Sequence, residues 1–248
     1  MFGGFTLVLD QAPVVVAPPL EGSGWVDSGG CCAPASYHRT ATLPINGRLR
    51  AAQRFAIDFV QLNADDRLFS GDQKQLANWK YFGAKVHAVA NAVVVSTVDG
   101  QPNQVPGGFT PGAMIETADG NAIVEAIGNG HFALYALYAH LQPGSLRVKK
   151  GDRIRQGQVI GLLGNSGNTD APHLHFHIMD SPSPLDSNGL AFEFISFEVQ
   201  GRVTSAEALE AGLKGSKAPV DHTAQPSSHH HQMPLVLDVM NFPSSAAR

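Results

Sequence analysis

The stretch that decides the fold of this chain reads HLHFHI and covers residues 173–178. Histidine alternates with an apolar residue three times, and a β-strand sends alternate side chains to opposite faces. The pattern therefore predicts a strand that packs its apolar face in the core and carries His173, His175 and His177 on the other face. Buried imidazoles each need a partner or water, and imidazole is the commonest metal ligand. We expect the histidine face to belong to a functional site.

The composition favours a β-rich protein. The chain has 248 residues with 26 glycines and 16 prolines, which suits many short strands joined by turns. The formal net charge is only -4, and no basic stripe interleaved with aromatic residues is present, so we expect no nucleic-acid partner. No apolar run reaches transmembrane length, and residues 1–10 lack the basic segment of a secretory signal. We therefore expect no membrane span.

Two further strands carry polar residues of interest. Apolar and aromatic residues alternate over residues 55–60, which places Asp58 on a strand with its carboxylate opposite the aromatic face. Burying an unpaired carboxylate is costly, so we expect Asp58 to be engaged by a partner. Further on, Asn129-Gly130 separates two apolar runs and predicts a β-hairpin. The second strand of that hairpin would deliver His140 at its end.

Several short motifs occur in the order and spacing of a known family. They are YAHL at 138–141, VKKGD at 148–152, GQVIG at 157–161, GNSGN at 164–168 and PHLHF at 172–176. In these motifs the chain resembles the lysostaphin-type (LytM-type) zinc metallopeptidases, endopeptidases that cut peptide cross-links in bacterial cell walls. The resemblance implies an all-β fold, an antiparallel β-sandwich or barrel of the duplicated hybrid motif type, with irregular N- and C-terminal extensions.

The resemblance also implies a division of the chain. We expect an N-terminal extension over residues 1–44, a lysostaphin-like metallopeptidase domain over residues 45–200 and a C-terminal extension over residues 201–248. In the C-terminal extension the sequence predicts a short helix at 206–213, a flexible polar segment at 217–232 that contains three consecutive histidines, and a final edge strand at 234–239.

Carried over by position, the family pattern assigns roles to individual residues. It makes His175 and Asp58 ligands of a Zn²⁺ cofactor. It makes His140 and His173 the residues that activate the attacking water or stabilise the oxyanion. The substrate implied is a peptidoglycan peptide, which requires an extracytoplasmic location in the periplasm, the cell envelope or outside the cell.

The first ligand of the family pattern is absent at its usual place. The family has a histidine four residues before the aspartate, whereas this chain has Arg54, whose guanidinium stays protonated and offers no lone pair. Catalytic zinc normally keeps three protein ligands, so Asp58 and His175 alone would form a weak site. The site is then metal-free, or completed by another residue, or loaded only with substrate. His38, the only histidine before Asp58, is the candidate for the second case.

Two functions follow from these alternatives. A complete site would make the chain a zinc metalloendopeptidase, and a degenerate one would leave a cell-wall binding or regulatory module. The presence of Asp58, His140, His173 and His175 together favours the enzyme, because a decayed site has no physical need for four such groups. A carrier or phosphocarrier domain shares the hybrid motif, but a carrier needs a modifiable lysine on a tight hairpin flanked by methionine, which this sequence lacks.

Overall fold

The chain folds around one large β-sheet. The computed structural model describes residues 12–30, 36–109, 114–128 and 134–244, and twelve strands of these residues share the main sheet. The all-β class predicted from the sequence is confirmed. The described residues form two α-helices, α1 (Tyr37–Thr40) and α2 (Ala206–Leu213), and the strands β1 (Val14–Val16), β2 (Gly22–Ser28), β3 (Leu43–Ile45), β4 (Arg48–Arg50), β5 (Ile57–Gln61), β6 (Lys85–His87), β7 (Ala92–Val98), β8 (Asn121–Ala126), β9 (Tyr135–Leu141), β10 (Arg153–Ile154), β11 (Val159–Leu162), β12 (Leu174–Met179), β13 (Gly189–Leu190), β14 (Phe192–Val203), β15 (Val220–Gln232) and β16 (Asp238–Phe242).

The order of strands places the histidine strand at the centre of the main sheet. The sheet runs β1-β14-β16-β2-β5-β12-β9-β8-β7-β10, with β13 on β12 and β15 on β14. Strands β6 and β11 form a separate pair, as do β3 and β4. The predicted hairpin is confirmed by the antiparallel pairing of β8 with β9. Its turn residues, Asn129 and Gly130, lie outside the described residues.

The apolar face of β12 anchors the core, as its alternation predicted. Leu174, Phe176 and Ile178 are fully buried. The Phe176 ring lies 5.3 Å from the ring of Tyr138 on β9 and 5.3 Å from that of Phe192 on β14. Tilted and edge-on contacts between aromatic rings add to the stabilisation from burial. The core therefore holds β12 rigidly between its neighbours and fixes where its histidine face points.

The terminal extensions are more regular than the sequence indicated. Strand β15 pairs along β14, so the prediction of a flexible segment is wrong for residues 220–232. The final strand β16 lies between β14 and β2, so the prediction of an edge strand is also wrong. The polar residues of β15 lack an apolar alternation, and their order comes from backbone pairing with a long neighbouring strand. The division of the chain at residues 45 and 200 stays a prediction.

The predicted helix of the C-terminal extension is confirmed as α2. It begins after Ser205, whose side chain accepts a hydrogen bond from the backbone N–H of Ala208. This is the usual way in which serine satisfies an unpaired donor in the first turn of a helix. Among the described residues, no helix is long and apolar enough to cross a membrane.

Candidate metal centre

Asp58 and His175 face each other on adjacent strands. Strands β5 and β12 are antiparallel, and their register sets His175 directly opposite Asp58. The His175 Nδ1 atom lies 2.8 Å from Asp58 Oδ1. Ile57 and Phe59, the strand neighbours of Asp58, are fully buried on the opposite face. The alternation in each strand thus places both polar side chains on the face away from the core, as expected from the sequence.

His38 reaches the same carboxylate from helix α1. Its Nε2 atom lies 3.3 Å from Asp58 Oδ2, and its side chain is only 4 % exposed. Its Nδ1 atom lies 3.0 Å from the carbonyl oxygen of Gly29 and 3.1 Å from that of Ala56. A carbonyl oxygen can only accept, so Nδ1 carries the proton that it donates. The two carbonyls therefore orient the ring so that Nε2 points at Asp58.

These three side chains form a group that could hold a metal ion. The donor atoms of His38, Asp58 and His175 all lie within 4.8 Å of one another. Two imidazole nitrogens and a carboxylate are a ligand set that catalytic zinc uses, with a fourth position left open for water or substrate. The structure thus brings together the residues that the sequence put forward as ligands. That they bind zinc stays a prediction.

Arg54 takes no part in this group. Its side chain is exposed, and its guanidinium carbon lies 5.7 Å from the centroid of the Phe55 ring. Its backbone N–H donates to the carbonyl of Ala51 in a turn just before β5. Within the described part of the chain, Arg54 is not among the residues that line the cavity over Asp58. The arginine therefore neither supplies a ligand nor fills the place of one.

His140 and His173 lie beside the group, and the ring of each is held by a hydrogen bond between Nδ1 and a backbone carbonyl. His140 Nδ1 is 2.8 Å from the carbonyl oxygen of Ser166, and His173 Nδ1 is 2.9 Å from that of Ala171. Each Nδ1 therefore donates its proton to a carbonyl, which leaves Nε2 as the free ring nitrogen. The two ring centroids are 4.4 Å apart, and His173 Nε2 lies 3.5 Å from Asp58 Oδ1. Both residues predicted to be catalytic thus adjoin the candidate ligands.

The backbone at His140 adopts an uncommon conformation. Its φ angle is +61°, in the left-handed region that few residues other than glycine occupy. The conformation is held by the N–H of His140, which donates to the carbonyl of Asp119 at 2.9 Å. Such outliers cluster at functional sites, where the surrounding structure fixes a side chain in a required direction. Here the outlier sits at the end of β9 and turns the imidazole toward His173.

The charges of the group depend on one another. Burial raises the pKa of Asp58, but nearby His38 and His173 and the hydrogen bond from His175 outweigh it and hold that pKa well below its usual value. Burial lowers the pKa of His38, but the charge of Asp58 and the hydrogen bonds of the ring to Asp58, Gly29 and Ala56 together raise that pKa above its usual value. Burial, with His173 and His175 adding to it, lowers the pKa of His140 well below its usual value. Asp58 is therefore ionised and His140 neutral near pH 7.

Sequence reasoning gave no individual role to two residues that contact the group. The Tyr37 hydroxyl donates to Asp58 Oδ2 at 2.8 Å. His177 is 1 % exposed, and its Nδ1 atom lies 3.0 Å from Nε2 of His175. The alternation in residues 173–178 put His177 on the correct face but could not show its depth. Nothing in the sequence around Tyr37 distinguishes it, apart from its position next to His38.

A cavity of about 1030 Å³ opens over these side chains. The polar part of its lining includes the candidate ligands together with His140 and His173. Another part is apolar and comes from Val60 on β5, from Leu209 and Leu213 on α2 and from residues 236–237 before β16. The C-terminal extension therefore forms one wall of the cavity, in which a polar cluster faces apolar side chains.

Comparison with known proteins finds a family model that matches the central part of the chain. Residues 78–187 match the model of Peptidase family M23. The matched range contains His140, His173 and His175, whereas His38 and Asp58 lie upstream of it.

Similar proteins include an endolysin of a phage and a peptidoglycan endopeptidase of a bacterium. The chain is 34 % identical over 106 residues to Endolysin 2638A of Staphylococcus phage 2638A, which covers 38 % of this chain. It is 35 % identical over 68 residues to the Peptidoglycan DD-endopeptidase ShyA of Vibrio cholerae, which covers 27 % of this chain. The aligned stretches span only 21 % and 15 % of those two proteins. The similarity is therefore to one part of each relative.

The catalytic domain of lysostaphin from Staphylococcus simulans is a similar solved structure. The match covers 67 % of this chain and 88 % of that domain, with 22 % sequence identity and a TM-score of 0.36.

Proposed function

We propose that this protein is a zinc-dependent metalloendopeptidase that hydrolyses peptide bonds in bacterial peptidoglycan. The observation that carries the proposal is the convergence of His38, Asp58 and His175 within 4.8 Å beneath a cavity that His140 and His173 also line. The match of residues 78–187 to the model of family M23 and a relative named a peptidoglycan endopeptidase support the choice of substrate. Because that substrate lies outside the cytoplasm, we propose an extracytoplasmic location.

The chemistry of the donor set fits zinc. The atoms that face one another are His38 Nε2, the Asp58 oxygens and His175 Nδ1. The lowered pKa of Asp58 keeps its carboxylate ionised, as a ligand must be. A zinc ion held there would polarise the scissile carbonyl and lower the pKa of the attacking water. His38 would thus take the role that the family pattern gives to the position of Arg54.

His140 and His173 would carry the proton. The Nδ1–H of each ring is fixed on a backbone carbonyl, so the lone pair of Nε2 is available to a substrate in the cavity. A neutral imidazole there can accept the proton of the attacking water and return it to the nitrogen of the leaving group. A protonated imidazole can also stabilise negative charge that develops on the carbonyl oxygen. The lowered pKa of His140 suits it to the accepting role.

The walls of the cavity would position the peptide. We propose that the catalytic domain over residues 45–200 works together with His38 from the N-terminal extension and α2 from the C-terminal one. The apolar side chains of Leu209 and Leu213 line the cavity and would contact the apolar part of a peptide. An extended substrate could then lie between α2 and the histidine cluster.

The test is a digestion of purified peptidoglycan sacculi by the full chain. We expect soluble fragments with new amino termini, detected by mass spectrometry, that disappear with a zinc chelator and return with added Zn²⁺. The matched control is His173→Ala, which should keep its metal and lose cleavage. Sedimentation of the protein with sacculi in the absence of any cleavage would instead support the alternative, a cell-wall binding or regulatory module.

A further inference from the structure

His177 is a deeply buried polar residue whose ring contacts the candidate ligand His175. It lies on the central strand β12, opposite Leu137 of β9, and is 1 % exposed. Its Nε2 atom is buried without a hydrogen-bond partner among the described residues, so its hydrogen bonding is confined to Nδ1. A buried polar group with an unsatisfied nitrogen costs stability that an apolar side chain of similar size would not cost. The compensating contact is the one to His175.

His175 differs from the other three histidines of the cluster in how it is held. His38, His140 and His173 each donate Nδ1–H to a backbone carbonyl and direct Nε2 at the site. His175 does the reverse, since its Nδ1 faces Asp58 and its Nε2 faces Nδ1 of His177 at 3.0 Å. Within the described part of the chain, no carbonyl sets the tautomer of this ring, and the partner of its Nε2 is a second imidazole.

We propose that His177 is a positioning residue that holds the His175 imidazole with Nδ1 directed at the metal site; this rests on the proposed zinc function. A metal ligand must offer a lone pair, so a zinc-bound His175 carries its proton on Nε2. His177 Nδ1 is the atom that accepts this proton in a hydrogen bond. The two rings meet nearly at right angles, with an interplanar angle of 88° and centroids 5.1 Å apart, so Nδ1 of His177 approaches the edge of the His175 ring.

An imidazole suits this position because it can exchange donor and acceptor roles. Without metal, the Asp58 carboxylate can only accept, so His175 donates Nδ1–H to it and its Nε2 accepts Nδ1–H from His177. With zinc, both protons move from Nδ1 to Nε2 and the hydrogen bond between the rings reverses. The pair keeps the same number of protons throughout. A carboxylate at position 177 could accept only, and would serve one of the two states.

The first experiment compares two variants of the full chain by competition for Zn²⁺ with a chromogenic chelator. His177→Phe keeps a planar ring but removes the hydrogen bond, and we expect zinc to bind about 10- to 100-fold more weakly, the usual effect of losing a ligand's hydrogen-bond partner. His177→Asn places an amide where Nδ1 was, which can donate or accept, and should recover most of that affinity. Wild-type affinity in folded His177→Phe, or equal weakness in His177→Asn, would overturn the proposal.

The second experiment locates the protons directly by ¹⁵N NMR of histidine-labelled wild-type protein. We expect His175 to carry its proton on Nδ1 without metal and on Nε2 with zinc, hydrogen-bonded to His177 in both states. This spectrum separates the two proposals. A protein that takes up no zinc refutes the proposed function, yet its metal-free spectrum still tests the ring pair. A His175 Nε2 without a hydrogen bond to His177 would overturn the inference whatever the zinc result.

Discussion

The candidate site has two halves, one within the range that matches family M23 and one upstream of that range, and the two are built differently. His140, His173 and His175 lie within the range that matches family M23, on strands β9 and β12 or directly before β12. His38 and Asp58 lie upstream of that range, and His38 comes from a helix of only four residues. The half within the family match is built on the central strands of the sheet. In the upstream half, Asp58 lies on β5, and His38 depends on a short helix that the fold brings back to that strand.

The difference means that the candidate third ligand is supplied by the fold rather than by the family's motif. The position of the family's first histidine is held by Arg54, which is exposed and turned toward Phe55. His38 lies sixteen positions earlier and is held by two backbone carbonyls with Nε2 at 3.3 Å from Asp58. Under the proposed function, His38 from another segment replaces the histidine that is missing at position 54. If the proposed function holds, His38, and not Arg54, completes the site.

The largest effect should come from the ligand that the family match contains. His175→Ala removes the ring nitrogen that faces Asp58, so we expect loss of bound zinc together with all chelator-sensitive cleavage. The loss of activity should exceed the roughly 10²- to 10⁴-fold that a single proton-transfer residue contributes. Metal analysis of the purified variant and the sacculus digestion measure both. A variant that retained stoichiometric zinc would remove His175 from the ligand set.

A smaller effect should separate proton transfer from metal binding. His140→Ala and His173→Ala each remove a free Nε2 beside the ligands, so we expect cleavage to fall about 10²- to 10⁴-fold with zinc content unchanged. Rates of fragment release and metal content should be measured on the same preparations. If one of these variants lost as much zinc as His175→Ala, the residue changed in that variant would be a metal ligand rather than a proton-transfer residue.

The smallest expected effect on the metal site comes from changing Glu125, a buried residue of the core on β8, which should alter stability only. Burial raises the pKa of Glu125 on β8 to about 8, although a hydrogen bond from the Tyr138 hydroxyl lowers it in part. The unfolded chain loses this proton above about pH 4.3, whereas the folded chain keeps it up to about pH 8. Between these values the unfolded state binds fewer protons, so this group makes the free energy of unfolding fall as pH rises.

Glu125→Gln removes that titration and should leave the metal site intact. Relative to the variant, the wild type should lose stability between pH 5 and pH 8, by about 4 kcal/mol as an upper limit from the size of the shift. Urea unfolding of both proteins at the two pH values measures the difference, and zinc content serves as the control. A difference in stability that does not change with pH would show that Glu125 is not protonated in the folded protein.

Local alternation explains what could be predicted from the sequence. The pattern of residues 173–178 predicted the apolar face and the histidine face of β12, and the pattern around Asp58 predicted the orientation of its carboxylate. Each of these depends on neighbours in the chain, since a strand has a side-chain period of two. The same reasoning gave α2, where a serine cap precedes a helical stretch.

Long-range pairing explains what could not be predicted. The order of β15 comes from a backbone ladder with β14, and polar side chains that stay at the surface give no periodic signal of it. The burial of His177 and the contact of Tyr37 with Asp58 also depend on elements distant in sequence. His38 could be nominated by elimination, but its distance from Asp58 is a property of the folded chain.

The most direct test of the central claim is the zinc content of His38→Ala beside that of Arg54→Ala, each measured on folded, gently purified full chain. We expect His38→Ala to lose its zinc and Arg54→Ala to keep the wild-type amount, because His38 presents a ring nitrogen to Asp58 and Arg54 does not line the cavity over it. Full zinc occupancy in His38→Ala would contradict the account and show that the site is completed by another group.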